Sequence, residues 1–135
     1  MPTLSNPRLS IKLVAGTTKV EITSSVKVNF TPNEEAIMKL FPLVKYTMSC
    51  RLFGEDGGLN GADDPMFTVT SVGPKKVNAD HSHSFKREVD KSALDEDWEG
   101  NDEIYARFRC AAPTNVGFVL ASATPVNSDT ITGNF

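Results

Sequence analysis

A chain of 135 residues with 39% hydrophobic and 23% charged residues lies near globular averages, which excludes disorder and fibrous repeats. Its formal net charge of -3 and pI near 5.3 argue against a main role in holding nucleic acid, which needs a basic face. A local basic patch remains compatible with that balance. The length suffices to bury about two-thirds of the unfolded surface and to fold without a metal or disulfides.

The opening MPTLSNPRLSIKLVAG lacks the cationic start and continuous apolar core of a signal peptide, and no run is long enough to span a membrane. The expectation is a soluble protein, cytoplasmic by default. Residues 1–8, with two prolines among polar neighbours, are expected to be a flexible tail preceding one domain over 9–135. Leu9, Ile11 and Leu13 alternate with Ser10 and Lys12 as a first strand. Val20, Ile22, Val26, Val28 and Phe30 then share one face, interrupted only by Ser24, while Lys19, Glu21, Thr23, Ser25, Lys27 and Asn29 take the other. One face in core and one in water is the mark of an antiparallel sheet.

Thr31-Pro32-Asn33-Glu34 reads as a helix start: threonine caps, proline suits the first turn, and Glu34 reaches back to complete a capping box. Ile37, Leu40 and Phe41 share a helical face, and Pro42 limits the helix to about ten residues. It is expected to plug one end of the sheets. Strand pattern returns with Tyr46, Met48, Cys50 and Leu52 on one face and Thr47, Ser49 and Arg51 on the other.

GEDGGLNGADDP, residues 54–65, is a loop. Strands are expected at 66–72 and at Phe85–Val89, with a polar connection over 75–82. Another acidic loop, 90–103, leads into a strand with Ile104, Ala106, Phe108 and Cys110 on one face and Tyr105, Arg107 and Arg109 on the other. Two more strands are expected, at 118–123 and 130–135. The sum is an all-β, eight-stranded antiparallel β-sandwich with one short helix between strands two and three.

Cys50 and Cys110 fall on the apolar faces of the third and sixth strands, 60 positions apart. That arrangement resembles the immunoglobulin pattern, in which an inter-sheet disulfide joins two core strands at about this spacing. It differs in lacking the tryptophan soon after the first cysteine and in having Phe108 where that family has a corner tyrosine. The pair reads either as a disulfide, worth roughly 4 kcal/mol for so long a loop, or as two buried thiols.

Every second connection of a sandwich emerges at the same end, so loops 15–18, 54–65, 90–103 and 125–129 should share a pole. They carry twelve of the 17 acids, and Lys91 is their only Lys or Arg. Repelling carboxylates invite a hard cation with six to eight oxygen ligands. The candidate Ca2+ ligands are Asp56, Asp63 and Asp64 from one loop and Asp95, Asp97 and Asp102 from the other, an end that loosely resembles the calcium-binding ends of C2 and cadherin domains. Trp98, the one tryptophan, is a candidate partner contact within the acidic loop.

His81 and His83 would share a strand face without a third metal ligand nearby. Arg51, Arg107 and Arg109 share an outward face with Tyr105, a place for an anion. No serine or cysteine sits in a strained glycine turn with a partner histidine. The leading expectation is a non-catalytic interaction module binding another protein through an end or an outer face. A calcium-dependent module for carbohydrate or an anionic surface comes second, and a small hydrolase third.

Overall fold

The computed structural model describes residues 1–54, 64–70, 74–94, 102–114, 117 and 119–133. Among these, nine strands and one helix are laid out in chain order as β1 (Thr3–Leu13), β2 (Lys19–Asn29), α1 (Pro32–Leu40), β3 (Tyr46–Gly54), β4 (Asp64–Thr68), β5 (Lys75–Val77), β6 (His81–Asp90), β7 (Asp102–Ala111), β8 (Val126–Asn127) and β9 (Ile131–Gly133). A short 3-10 turn spans Lys91–Leu94. The strands form two antiparallel sheets: β1-β2-β6, and a larger one ordered β4-β3-β7-β8 in which β5 also pairs with β3 and β9 with β7. The fold is therefore the expected all-β sandwich, with nine strands rather than eight. No helix among the described residues is long and apolar enough to cross a membrane.

The core follows the period-two pattern. Val20, Ile22, Val26 and Val28 of β2 face Tyr46, Met48, Cys50 and Leu52 of β3 and Ile104, Ala106, Phe108 and Cys110 of β7, all buried. Burying each large aliphatic or aromatic side chain contributes roughly 1.5–3 kcal/mol. Phe85 of β6 meets Phe108 of β7 across the sandwich, with ring centroids 6.2 Å apart. Ser24, the polar interruption in the β2 row, is 1% exposed. Its hydroxyl lies 3.1 Å from the Cys50 thiol and ties the two sheets together at their centre.

Three parts of the sequence reading are revised. The expected tail is the first half of β1: Thr3, Leu4 and Ser5 pair with Asn29, Val28 and Lys27, and Leu4 joins the core. A register shift between Ser5 and Arg8 accommodates Pro7, which has no N–H to give, and puts Asn6 at φ 54. The polar connection over 75–82 contains β5, paired through Tyr46↔Val77. Residues 119–123 form no strand; instead the segment from Ala123 onward runs beside β7, through Ala123 N–H to Cys110 O, β8, Ser128 N–H to Ala106 O, and β9. Asp129 consequently lies beside β7 and not at a sandwich end.

The helix forms with the expected capping box. Thr31 Oγ1 accepts from Glu34 N–H at 3.2 Å, and Glu34 Oε1 accepts from Thr31 N–H at 2.8 Å. The buried face is Glu34, Ile37 and Met38, whereas Leu40 and Phe41 are exposed. Glu34 is 3% exposed, and it is held there by the Tyr46 hydroxyl at 2.9 Å and the Met1 ammonium at 3.0 Å. Burial pushes its carboxyl up, but the Thr31 N–H, the N-terminal ammonium and the two hydroxyls outweigh that and hold it low. Burial first, and then the bonded Glu34 carboxylate, raise the Tyr46 phenol.

Cys50 and Cys110 are free and buried. Cys50 pairs with Phe108, and Met48 with Cys110. The two cysteines thus sit on adjacent strands of one sheet, two register steps apart, and not across the sheets as in the immunoglobulin pattern. Burial pushes the Cys50 thiol up to about 11 and, with Glu34 nearby, the Cys110 thiol up to about 12. Only the thiolate reacts, so both native thiols should react with an aromatic disulfide reagent at pH 8 at least about two orders of magnitude more slowly than an ordinary cysteine, Cys110 the more slowly of the two. Both should titrate once the chain is unfolded in denaturant. A single slow bond in place of two thiols in the denatured, unreduced chain would contradict this account.

Candidate functional site

The outer face of the β3–β7 pair is built by the same alternation that builds the core. Cross-strand partners there are Thr47↔Ala111, Ser49↔Arg109, Arg51↔Arg107 and Phe53↔Tyr105. Neighbouring strands extend the rows, with Thr68 of β4 beside Arg51, Lys76 of β5 beside Thr47, and Asn127 of β8 beside Arg107. Four cations share one surface, and the acid on the outward row of β7 is Glu103 near its start. Among the described residues the ion pairs are Met1–Glu34 and Lys86–Glu21, so no carboxylate of the described residues pairs with any of these four cations.

Arg51 opposite Arg107 is an unfavourable arrangement, since like charges directly across a ladder repel. Local contacts offset part of that. Arg107 donates from Nε to Asn127 Oδ1 at 3.0 Å and from a terminal nitrogen to the Tyr105 hydroxyl at 3.3 Å. Its guanidinium carbon lies 4.6 Å from the Phe53 ring centroid, and Phe53 is stacked on Tyr105 at 5.6 Å. Arg51 is farther from that ring, at 6.0 Å, and is exposed, as is Arg109. Lys76 donates to Thr47 Oγ1 at 2.8 Å. Ser49, Arg51, Phe53, Thr68, Arg107 and Arg109 line a concavity of about 250 Å³.

Other sites compare poorly. A larger cavity of about 590 Å³ lies between the β1 bulge and residues 129–131, but its charged lining, Arg8 and Asp129, sums to zero. The outer face of the smaller sheet mixes signs, with Lys19 opposite Asp90, Glu21 opposite Lys12 and Glu88, and Lys86 paired to Glu21 at 3.4 Å.

The candidate calcium ligands Asp56, Asp63, Asp95 and Asp97 and the candidate contact Trp98 lie outside the described residues. Asp64 opens β4 opposite Gly54, and Asp102 opens β7 opposite Gly133. Gly54 also pairs with Ile104, so both acidic stretches do spring from one end of the larger sheet. Among the described residues no group of three or more His, Cys, Asp or Glu is placed to hold a metal.

Arg51, Arg107 and Arg109 are brought together with Tyr105 as the alternation predicts, although Tyr105 is 4% exposed. Sequence reasoning missed Phe53, Ser49, Thr68, Lys76 and Asn127 as members of the face. Phe53 carried a signal, because its odd position on β3 puts it beside Arg51.

His81 and His83 share the inner face of β6, opposite Val28 and Val26, with rings edge-on at 6.0 Å. His83 Nε2 is buried without a hydrogen-bond partner among the described residues.

No protein-family model and no curated protein matches this chain. Among solved structures it is similar to a GH3 beta-glucosidase from Bifidobacterium adolescentis, at TM-score 0.44 and 11% identity, over 96% of this chain but 17% of that one. It is also similar to an ApaA-like protein from Bordetella pertussis, at TM-score 0.44 and 8% identity, over 98% and 92% of the two chains. At these scores neither likeness carries a functional argument.

Two outcomes follow from the geometry. Arg51→Glu places opposite charges across the ladder and should raise stability by about 0.2–1 kcal/mol, read as a higher urea midpoint at unchanged slope. A loss of stability would mean that Arg51 is structural. Burial, then the charges of Lys75 and His81, hold His83 below its ordinary 6.5. The unfolded chain therefore binds a proton that the folded one refuses, and stability falls as the pH drops through the ordinary histidine range near 6.5. The melting temperature should follow, and His83→Gln should flatten the profile; an identical slope in the variant would refute the assignment.

Proposed function

We propose that this chain is a non-catalytic interaction module that binds another protein, taking an acidic segment of it on the outer face of β3 and β7. The observation that carries the reading is the Arg51–Arg107 cross-strand pair, flanked by Arg109 and Lys76 and lacking a carboxylate partner among the described residues. A sheet that only needed a solvated face would mix signs, as the outer face of the smaller sheet does. Arginine-rich surfaces with an aromatic floor are suited to protein contacts, because the guanidinium is weakly hydrated, planar and able to grip a carboxylate with two donors. The thiols, buried and held protonated, are poor nucleophiles, which favours binding over covalent chemistry.

The test is fluorescence polarisation of a short peptide rich in glutamate and aspartate. Binding should weaken by about tenfold or more in the Arg51→Glu, Arg109→Glu double variant, and for the parent it should fall steeply between low and physiological salt. Lys86→Glu, on the other sheet, should bind as the parent does. Equal binding by the double variant, or none by the parent, would overturn the proposal.

A further inference from the structure

We propose that the group this face recognises is a phosphoryl group carried on a side chain of the partner protein, an inference that rests on the reading of the face as a protein-binding surface. The argument is one of supply and demand. A carboxylate carries a single charge, and one arginine fork satisfies it. Here three guanidinium groups and the hydroxyls of Ser49 and Thr68 surround one concavity of about 250 Å³. A phosphate monoester brings a charge of about -1.5 to -2 at neutral pH and three strong acceptor oxygens, which matches that excess of positive charge and donors. All three cations at the concavity are arginines, the residue suited to planar, two-pronged contact with phosphate oxygens.

The three are not equivalent. Arg107 is fixed by Asn127, Tyr105 and the Phe53 ring, so it offers a rigid floor of charge. Arg51 and Arg109 are exposed and hold no hydrogen bond or ion pair among the described residues, which leaves their forks to close over a ligand from one side. Arg51 is directly opposite Arg107, and Arg109 is opposite Ser49, one non-adjacent step along the same outer row. The approach is from solvent, across a sheet surface, as for an extended phosphorylated segment docked on an arginine cluster.

The aromatic pair argues against a nucleic-acid strand as occupant. Single-stranded binders present open rings on which bases stack. Tyr105 is 4% exposed, and the Phe53 ring is shared between Tyr105 and the guanidinium groups of Arg107 and Arg51. The rings support the arginines and leave no base-sized face.

The experiment immobilises degenerate peptide pools that differ at one fixed central residue: phosphoserine, phosphothreonine or phosphotyrosine, the unmodified residue, or glutamate. An oligothymidylate surface serves as the nucleic-acid arm. The full chain should be retained by a phosphorylated pool about tenfold better than by the glutamate pool at physiological salt, and inorganic phosphate should compete. Arg51→Gln and Arg109→Gln should abolish the preference, whereas Lys86→Gln should keep it; thermal melts of the three establish that they fold. Equal retention by the glutamate pool, with the arginine variants still defective, would overturn phosphate recognition and leave the acidic-segment reading standing. Retention by no peptide pool would overturn both. Stronger retention on oligothymidylate, lost in the arginine variants, would give the face to nucleic acid and overturn the proposal.

Discussion

The register between β3 and β7 is the constraint on which both the core and the candidate site depend. Because side chains alternate with period two, the pairing Cys50↔Phe108 that puts Met48, Cys50, Leu52, Ala106 and Phe108 inside also puts Arg51 directly across from Arg107 outside. A one-residue slip of β7 would turn Arg107 and Arg109 inward and Ile104, Ala106, Phe108 and Cys110 outward, a cost comparable to a domain's whole net stability. Hydrophobic burial therefore enforces a juxtaposition of like charges that surface electrostatics alone would avoid. The face is charged because the core is correct.

The remaining polar groups of the interior show how the two sheets are held in one arrangement. Ser24 is the single polar residue in the buried row of β2, and its hydroxyl finds the Cys50 sulfur on the opposite sheet. At the helix end, Glu34 serves two structural roles at once. It completes the α1 capping box, and its second oxygen accepts from Tyr46, which begins β3. A helix N-terminus favours a nearby carboxylate, and Tyr46 supplies one of the donors that a buried carboxylate requires. The helix is thereby tied to the first residue of the strand that carries Ser49, Arg51 and Phe53.

Much of this was legible in the sequence wherever the signal was local and repeated. The β2, β3 and β7 alternations, the capping box and the shared face of Arg51, Arg107 and Arg109 with Tyr105 each need only a period of two or a four-residue motif. What escaped was set by pairing at a distance. Residues 3–8 look like a tail because Asn6 and Pro7 break the pattern, yet β2 supplies the partner row and a bulge absorbs the interruption. β5 is three residues long and takes its strand character from Tyr46, Thr47 and Met48. The segment after Ala123 follows β7 because ladder bonds at Cys110 and Ala106 hold it there, with no strong alternation of its own. The helix face was misjudged for a related reason: Phe41 and Leu40 are apolar, but the ties of Glu34 to Tyr46 rotate Glu34, Ile37 and Met38 inward. The concavity among Ser49, Thr68 and the arginines depends on which strand borders β3, and no local pattern contains that.

The distribution of order across the three arginines bears on how such a face would work. An anchored Arg107 loses little conformational freedom on binding, because Asn127, Tyr105 and Phe53 already hold it, and it presents charge at a fixed position. Arg51 and Arg109 must each give up side-chain freedom, about 0.5–1.5 kcal/mol for each immobilised side chain, so a singly charged ligand that engages only one of them gains little beyond what Arg107 offers. A ligand with enough charge and acceptors to engage all three recovers both costs and also relieves the repulsion between Arg51 and Arg107. On the proposed reading the like-charge pair would be a source of selectivity, since the repulsion between Arg51 and Arg107 in the free face would be relieved only by an anion that engages both.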